Sequence, residues 1–460
     1  MKRAGVGALV GLAGCAQAAL PLAPSAADGG EPQRILVRFA ETTSTADRAS
    51  LREKCRAVAA PGALPDREVW TLPAGTERAD LVSRLRGAPE LRYAAAEGRR
   101  TLQVAPGGGR TVLGFTAADR DLDDNGYFTQ TGVLAAWARF EPTRPPGTGI
   151  LVAVVASGVD VRHPELAHAI ARDAQGAPRY IDAFADSGKS DTNSQGTYNW
   201  ATAYQSASYP GPDGHGSGTR ESGIIAASAS AQPAGSYDMV GIAPGAQILP
   251  VKVLDVGGDG DDAIIMRGIV AAADAGADIV LLPFGGPEPS AALDDAVWYA
   301  RSKGVLVVAA AGQYPEKVFF PAASPGALAI GAVDGKDEYM SYASTGPELA
   351  LVAPGGTVDE SRTGLLGPVP TYLSTTRYPG KYVAKNYSRV SGTSEAAAFA
   401  AGIAALVWSA EPDLDAGQVR QRLLAGATDL GQAGFDDKTG FGRIDAARSL
   451  AIGGHANGAP

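Results

Sequence analysis

Five almost uninterrupted apolar runs, separated or followed by helix-like patterns, constrain the fold of this chain more than any other feature. The runs lie at 150–155, 247–254, 278–282, 305–311 and 327–333, and the helical patterns at 218–229, 262–275, 290–302 and 394–410. Strands without polar alternation are typical of a sheet that is covered on both faces. The alternation therefore predicts an α/β domain built on a doubly wound, mainly parallel sheet, with its ligand crevice at the carboxyl ends of the strands.

Composition excludes several other classes. The chain has 460 residues, of which 45% are hydrophobic and 19% charged, so it is too long and too apolar to be disordered. Its net charge of −9, with no basic block, argues against a nucleic-acid partner. Two cysteines exclude a disulfide framework. No uncharged apolar run approaches the ~18 residues that a membrane helix needs.

The N-terminus is typical of an export signal. Residues 1–15 combine a basic start, a short apolar stretch and Leu-Ala-Gly-Cys, which resembles a bacterial lipobox. We therefore expect acylation of Cys15 and an anchor in the cell envelope, with 16–33 as a tether. The alternative is cleavage after Ala19 and secretion. At the other end, 452–460 reads as a flexible tail.

Residues 34–97 predict a small α+β domain with the order strand, helix, strand, helix, strand. Its first helix is expected over 46–59, with Leu51, Cys55 and Val58 on one stripe. A Gly- and Asp-rich linker follows at 98–128. Its acidic alternation at 119–125 fails the EF-hand pattern, because no glutamate stands at the twelfth loop position. We expect no metal site and no cofactor, and leave a structural calcium ion open.

Several collinear motifs carry a resemblance to a known family. They include Ser-Gly-Thr-Ser at 391–394 before an Ala-rich helix, Ser-Gly-Val-Asp at 157–160 after an apolar strand, and Gly-Phe-Gly at 440–442. In this order they resemble the subtilisin-like serine peptidases, the subtilase (peptidase S8) family, over about 34–451. The resemblance implies a subtilisin-like domain at 129–451 and an inhibitor-like propeptide at 34–97.

Carried over position by position, the resemblance leaves the catalytic centre incomplete. Ser394 matches the nucleophile. Ala156 stands where the family has its aspartate, Ser217 where it has its histidine, and Gln313 where it has the oxyanion asparagine. A serine hydroxyl needs a base, and the base needs an orienting group. We therefore expect a proteolytically inactive homologue.

Two substitute bases keep the alternative of an active serine endopeptidase open. His215 stands two residues before the family's histidine position, and Glu221 stands where the related sedolisins have an acid. Charged residues also stand at positions that the family normally buries. They predict an ion pair between Arg220 and either Glu221 or Glu395, in the volume that the catalytic side chains would otherwise occupy.

We expect the peptide-binding groove to be retained although catalytic residues are replaced. Pro283, Phe284 and Gly285, with Gly257 and Gly258, resemble the two segments that hold an extended substrate as an added strand. We expect the groove to hold a peptide or protein partner, or the chain's own propeptide-like domain through its tail near 99–104. The other hypothesis is a stability role without any ligand.

Overall fold

A computed structural model of the chain describes residues 33–452, except 74–75, 87, 103–125, 142, 185–212, 228–238, 360–362, 374–381 and 385. The lipidation at Cys15, the tether, the acidic turn at 119–125 and the tail beyond 452 lie outside the described residues.

The N-terminal domain is a four-stranded antiparallel sheet with two helices. Its elements are β1 (Arg34–Phe39), α1 (Thr45–Cys55), β2 (Val58–Pro61), β3 (Arg67–Thr71), α2 (Arg78–Leu85) and β4 (Leu91–Ala96), in the sheet order β2-β3-β1-β4. The expected helix over 46–59 was too long, because Arg56 adopts a left-handed conformation that ends α1. Val58 therefore begins a strand that the sequence did not predict, and its side chain is 71% exposed.

The large domain follows β5 (Arg99–Leu102) and supplies the remaining elements. Its helices are α3 (Tyr127–Gln130), α4 (Val133–Trp137), α5 (Ser217–Ala226), α6 (Asp262–Asp274), α7 (Ala291–Ser302), α8 (Thr393–Ala410), α9 (Ala416–Gly426) and α10 (Ala446–Ala451). Its strands are β6 (Leu151–Ala156), β7 (Ile181–Asp182), β8 (Gln247–Lys252), β9 (Asp259–Asp261), β10 (Ile279–Leu282), β11 (Phe284–Gly285), β12 (Leu306–Ala310), β13 (Leu328–Val333), β14 (Leu349–Pro354), β15 (Leu365–Pro368), β16 (Tyr382–Ala384) and β17 (Tyr387–Val390).

The central sheet is parallel throughout and has the order β14-β13-β12-β10-β6-β8-β7. Its two faces belong to different apolar clusters: Val152 and Val154 pack with α5 and α8, whereas Ala153 and Val155 pack with α6 and α7. Because successive side chains of a strand alternate between faces, a run apolar at every position is what two covered faces require. The predicted α/β class is confirmed.

The N-terminal domain contacts the α6–α7 side of the large domain. Leu36 and Val69 belong to the same buried cluster as the apolar residues of those helices. Beside this contact, Asp295 of α7 accepts hydrogen bonds from Arg38 Nη1 (2.8 Å) and Arg67 Nε (3.0 Å). Apolar burial and a shared carboxylate thus join the two domains.

Helix α8 runs through the centre of the large domain and carries Ser394 near its N-terminus. Among the described helices, its 18 residues are the one span long and apolar enough for a bilayer by length and composition. Because 94% of that window is buried inside the protein, α8 is explained as a core helix. It packs against α5 and the four strands β10, β12, β13 and β14.

Candidate active site and peptide groove

The carboxyl ends of the parallel strands bring the positions singled out in the sequence to one region. Strand β6 ends at Ala156, β10 is followed directly by Pro283, and Gln313 lies beyond the end of β12. The N-terminal ends of α5 and α8 contribute Ser217 and Ser394. This is the edge at which open α/β sheets place their ligand sites.

Ser217 takes part in a hydroxyl chain that ends on a buried carboxylate. Ser157 Oγ donates to Asp213 Oδ1 at 2.7 Å, and Ser217 Oγ lies 2.7 Å from Ser157 Oγ. Because the single Ser157 hydroxyl proton is directed at the carboxylate, Ser217 is the donor to Ser157. The side chain at the family's base position is therefore held as a hydrogen-bond donor.

Asp213 also orders the start of α5. Its Oδ1 accepts from the backbone N–H of Gly216 at 2.6 Å, and its Oδ2 accepts from the N–H and hydroxyl of Thr219 at 3.0 and 2.6 Å. The backbone N–H of His215 also donates to Oδ1, at 3.2 Å. These bonds satisfy N–H groups that a helix start leaves unpaired. Asp213 therefore has a capping role, which the sequence reasoning missed.

Gly218 allows α5 to approach the loop after β6. A Cβ atom at Gly218 would lie 1.9 Å from the carbonyl oxygen of Gly158, a distance that no side chain tolerates. Lys252, the last residue of β8, donates from Nζ to the carbonyls of Ser157 (2.9 Å) and Leu254 (2.8 Å) and is almost fully buried. The region that would hold an aspartate–histidine pair is thus closely packed.

Ser394, the residue at the nucleophile position, is fully buried, and its Oγ donates to the carbonyl oxygen of Pro283. A peptide carbonyl can accept this hydrogen bond but cannot remove the proton at neutral pH, which is the task of a base. At the oxyanion position, Gln313 is partly buried, and its Nε2 makes no hydrogen bond within the described part of the chain. The hydroxyl and an amide donor are therefore both retained.

An ion pair joins α5 to α8 directly beside Ser394. Arg220 Nε lies 2.9 Å from Glu395 Oε1, with the two side chains 5% and 0% exposed. Glu395 is one of the two carboxylates with which the sequence predicted a pair for Arg220. The arginine stem packs over β15, where a Cβ at Gly367 would lie 2.3 Å from its Cγ atom.

Glu221, the other predicted partner, is buried differently. Neither of its carboxyl oxygens makes a hydrogen bond among the described residues, and the side chain is fully buried. Desolvation raises the pKa of Glu221 well above its usual value; Arg220 opposes this shift, and Glu395 and Asp213 add to it. The shift favours the protonated, neutral form of the carboxyl group, and in that form Arg220 and Glu395 are a balanced pair.

Burial lowers the basicity of two described histidines, His163 and His168. His163 Nδ1 accepts from the N–H of Glu165 at 3.2 Å, and its ring stacks edge-on against Tyr387. Burial lowers the pKa of His163, although Asp160 partly offsets the effect. The pKa of His168 is also lowered by burial. His455 lies outside the described residues.

The tail of the N-terminal domain lies in the groove. Strand β5 (Arg99–Leu102) pairs antiparallel with β9 on one side and with β11 on the other, forming a three-stranded sheet. Phe284 and Gly285 form β11, as expected for the groove. On the opposite side of the groove, β5 pairs with Asp259–Asp261 and not with the predicted Gly257 and Gly258. These two glycines form the preceding turn, where Asp255 Oδ1 accepts a hydrogen bond from the N–H of Gly257.

A second buried arginine–carboxylate pair in this groove was not foreseen. Arg100 and Asp262 are 1% and 2% exposed, and Arg100 Nε lies 2.7 Å from Asp262 Oδ1. Two adjacent arginines after a small domain gave no signal of such a pair. The position of Asp262 at the start of α6, immediately after the groove segment, is the sequence feature that could have indicated it.

With the geometry established, comparisons with known proteins identify the family. The model of the subtilase family matches residues 147–442. Subtilisin DY of Bacillus licheniformis is 35% identical over 240 residues, which cover 51% of this chain and 78% of that protein. Subtilisin E of Bacillus subtilis is 33% identical over 297 residues, which cover 64% of each chain.

A solved structure agrees at the level of the fold. Fervidolysin from Fervidobacterium pennivorans, a keratinolytic enzyme related to subtilisin, superposes with a TM-score of 0.66 at 23% identity, covering 92% of this chain and 61% of that one. The chain thus spans less than two thirds of fervidolysin. The chain belongs to the subtilase family of subtilisin-like serine peptidases.

Metal binding finds no support in the described ranges, where no group of three or more His, Cys, Asp or Glu side chains could hold an ion. The acidic alternation at 119–125 lies outside those ranges, so the expectation about calcium stays a prediction.

Proposed function

We propose that this protein is a non-proteolytic subtilase homologue that retains its N-terminal domain and holds extended peptide in its groove without cleaving it. The observation that carries the proposal is Ser217: the base position holds a hydroxyl that donates into the Ser157–Asp213 chain. The oxygen of Ser217 keeps its lone pairs, but an alcohol oxygen is far too weakly basic to take the proton of Ser394 at neutral pH, as an imidazole would.

The expected losses of turnover favour a non-proteolytic protein over a slow protease. In subtilisin, losing the serine or the histidine alone lowers turnover by about 10⁶-fold. Loss of an oxyanion donor costs about 10²- to 10³-fold by itself. Here Ala156 and Ser217 remove the acid and the base, and Gln313 alters the third role. Turnover of peptide substrates should be negligible.

The two substitute bases receive little support. Burial raises the pKa of Glu221 and so favours its protonated form, which cannot accept the proton of Ser394. His215 shares the turn that Asp213 organises, and its backbone N–H is part of that turn. Among the described residues, neither carboxyl oxygen of Glu221 makes a hydrogen bond, so Glu221 lacks the contact with the hydroxyl of Ser394 that general-base catalysis needs first.

A fluorophosphonate probe tests the proposal, because it labels serines that a base activates. The purified full chain and the matched control Ser394→Ala should be labelled to the same low level, and neither should hydrolyse casein. Labelling that depends on Ser394 would overturn the proposal. Its loss in His215→Ala, or its restriction to acid pH and loss in Glu221→Gln, would then identify the base.

The envelope location is a separate part of the proposal and rests on the lipobox-like Leu-Ala-Gly-Cys ending at Cys15. Cells expressing the full chain should incorporate radiolabelled palmitate into it, and Cys15→Ser should abolish the label. Equal incorporation by the variant would contradict acylation of Cys15, and release of unlabelled wild-type protein into the medium would favour secretion instead.

A further inference from the structure

Arg100 differs from its neighbours on β5 in the direction and environment of its side chain. Arg99 and Thr101 are exposed, and Thr101 Oγ1 reaches Asp259 Oδ1 at 2.8 Å at the rim of the groove. Arg100 points inward and is 1% exposed. Because side chains alternate along a strand, Arg100 faces a buried pocket while its two neighbours face the rim.

The pocket matches the hydrogen-bonding pattern of a guanidinium group. Arg100 Nε and Nη2 donate to the two oxygens of Asp262 at 2.7 and 3.1 Å, and Nη1 donates to the carbonyls of Gly286 at 3.1 Å and Glu288 at 2.9 Å. A bidentate pair with a planar carboxylate suits arginine, whereas the compact lysine ammonium cannot reproduce it.

The groups that contact the guanidinium belong to the large domain. Asp262 begins α6, and Gly286 and Glu288 follow β11, so none of these residues moves with the N-terminal domain. Gly286 also makes the space, since a Cβ there would lie 2.9 Å from Arg100 Nη1. A free peptide with an arginine at the same register could therefore make the same four hydrogen bonds.

An empty pocket would be unfavourable. Asp262 is 2% exposed, and apart from Arg100 the described structure gives its side chain one donor, the N–H of Gly98 at 3.3 Å. A buried carboxylate without a cationic partner is costly, so the pocket favours an arginine-bearing occupant. Exposed Asp259 beside Arg99, at 3.7 Å, adds attraction for basic peptides at the rim.

We propose that the groove between β9 and β11 selects extended peptides with an arginine at the register of Arg100. Asp262 determines this specificity. The segment 98–102 is an internal competitor, which such a peptide displaces. Strand pairing on both sides supplies affinity that does not depend on sequence, and the Asp262 pocket supplies the selection. This inference rests on the proposed capture of peptide in the groove.

The test uses the full chain with Arg100→Ala, which removes the internal side chain from the pocket. The probe is a fluorescent peptide of residues 97–103, Glu-Gly-Arg-Arg-Thr-Leu-Gln. Matched peptides replace the second or the first arginine by citrulline, which keeps the shape and removes the charge. Fluorescence anisotropy gives the dissociation constants, and mass spectrometry of the recovered peptide reports any cleavage.

We expect citrulline at the second arginine to weaken binding about 10- to 100-fold, because charge-assisted hydrogen bonds are lost, and citrulline at the first arginine to change it little. Asp262→Asn in the same background should abolish the difference between the peptides. Wild-type protein should bind the parent peptide more weakly than Arg100→Ala does.

Equal affinity for all three peptides would overturn the specificity while leaving capture of peptide intact. Cleavage of the bound peptide would instead overturn the proposed non-proteolytic function and leave the specificity standing. If Arg100→Ala fails to fold, Arg100→Lys keeps a cation beside Asp262 and replaces it. A folded variant that binds none of the peptides refutes the inference.

Discussion

Arg220 and Arg100 are both buried against a carboxylate, but the two pairs lie in regions with different constraints. Arg220 and Glu395 are carried by α5 and α8, two helices of one domain core. Arg100 is carried by a short strand that joins two domains, and it is matched by both oxygens of Asp262.

The two pairs also differ in how completely their polar groups are hydrogen-bonded. Glu395 Oε2 accepts no hydrogen bond within the described chain, and burial raises the pKa of neighbouring Glu221. The Asp262 pocket, in contrast, satisfies the guanidinium with a carboxylate and two carbonyls. In terms of the proposed function, the first pair fills volume that catalytic side chains would otherwise occupy, whereas the second has the complementarity expected of a recognition site.

The largest expected effect is on the core pair. Glu395→Ala should lower the free energy of unfolding by about 3–5 kcal/mol, because it leaves Arg220 buried without its carboxylate. Chemical denaturation measures the loss. The double variant Arg220→Met/Glu395→Leu should recover most of this loss. If Glu395→Ala instead lowered the free energy of unfolding by less than about 1 kcal/mol, the pair would not be buried in solution.

The groove pair should respond locally. Asp262→Asn should lower the hydrogen-exchange protection of amides in 98–102 by about 10- to 100-fold, since β5 can leave the groove while the central sheet stays folded. Amides of β6 and β10 should keep their protection and serve as the internal control. If protection fell equally in both regions, the two pairs would not differ as we describe.

Glu221 gives the core region a pH dependence. Its pKa is raised in the folded state, so between the unfolded value of about 4.3 and the folded value the native protein binds more protons. Its stabilising contribution is therefore complete below about pH 4.3 and is lost as the pH rises, by at most about 1.4 kcal/mol per pH unit.

Glu221→Gln should remove this loss, so that the variant gains stability relative to wild type as the pH is raised. Denaturation curves at several pH values measure the difference between the two proteins, which cancels the contributions of other groups. A difference that stays constant with pH, or changes with the opposite sign, would mean that Glu221 is ionised in the folded protein.

The smallest effect is expected at the surface between the domains. Asp295→Ala removes the shared acceptor of Arg38 and Arg67, whose side chains are 28% and 6% exposed. Partly exposed pairs contribute about 1 kcal/mol or less each, so the loss should be about 1–2 kcal/mol. Asp274→Ala, which removes an exposed pair with Lys303, is the matched control and should have almost no effect. Equal losses in both variants would contradict the docking role of Asp295.

The sequence predicted the fold well because its main signal is local. Uniform apolar runs located five strands of the central sheet. The error at Val58 arose because an apolar residue at helical spacing can equally begin a strand, and a left-handed Arg56 has no strong local signal.

The site was predictable only where a residue departs from a family pattern. Arg220 and Glu395 were noticed because both are unusual at positions that the family buries. Arg100 and Asp262 are separated by 162 positions and belong to segments without a fixed pattern. The hydroxyl chain from Ser217 to Asp213 was not predicted, for the same reason. Short polar side chains such as these are common near turns, and nothing in the sequence shows that the fold brings them together.

Intact-mass analysis of the purified full chain, before and after prolonged incubation at neutral pH, tests the central claim most directly. If the hydroxyl of Ser394 lacks a base, the N-terminal domain and the large domain must remain in one polypeptide in both proteins, whose masses then differ only by the one oxygen atom that Ser394→Ala removes. Cleavage between residues 103 and 125 that occurs in wild type and is absent in Ser394→Ala would contradict the account and restore a working protease.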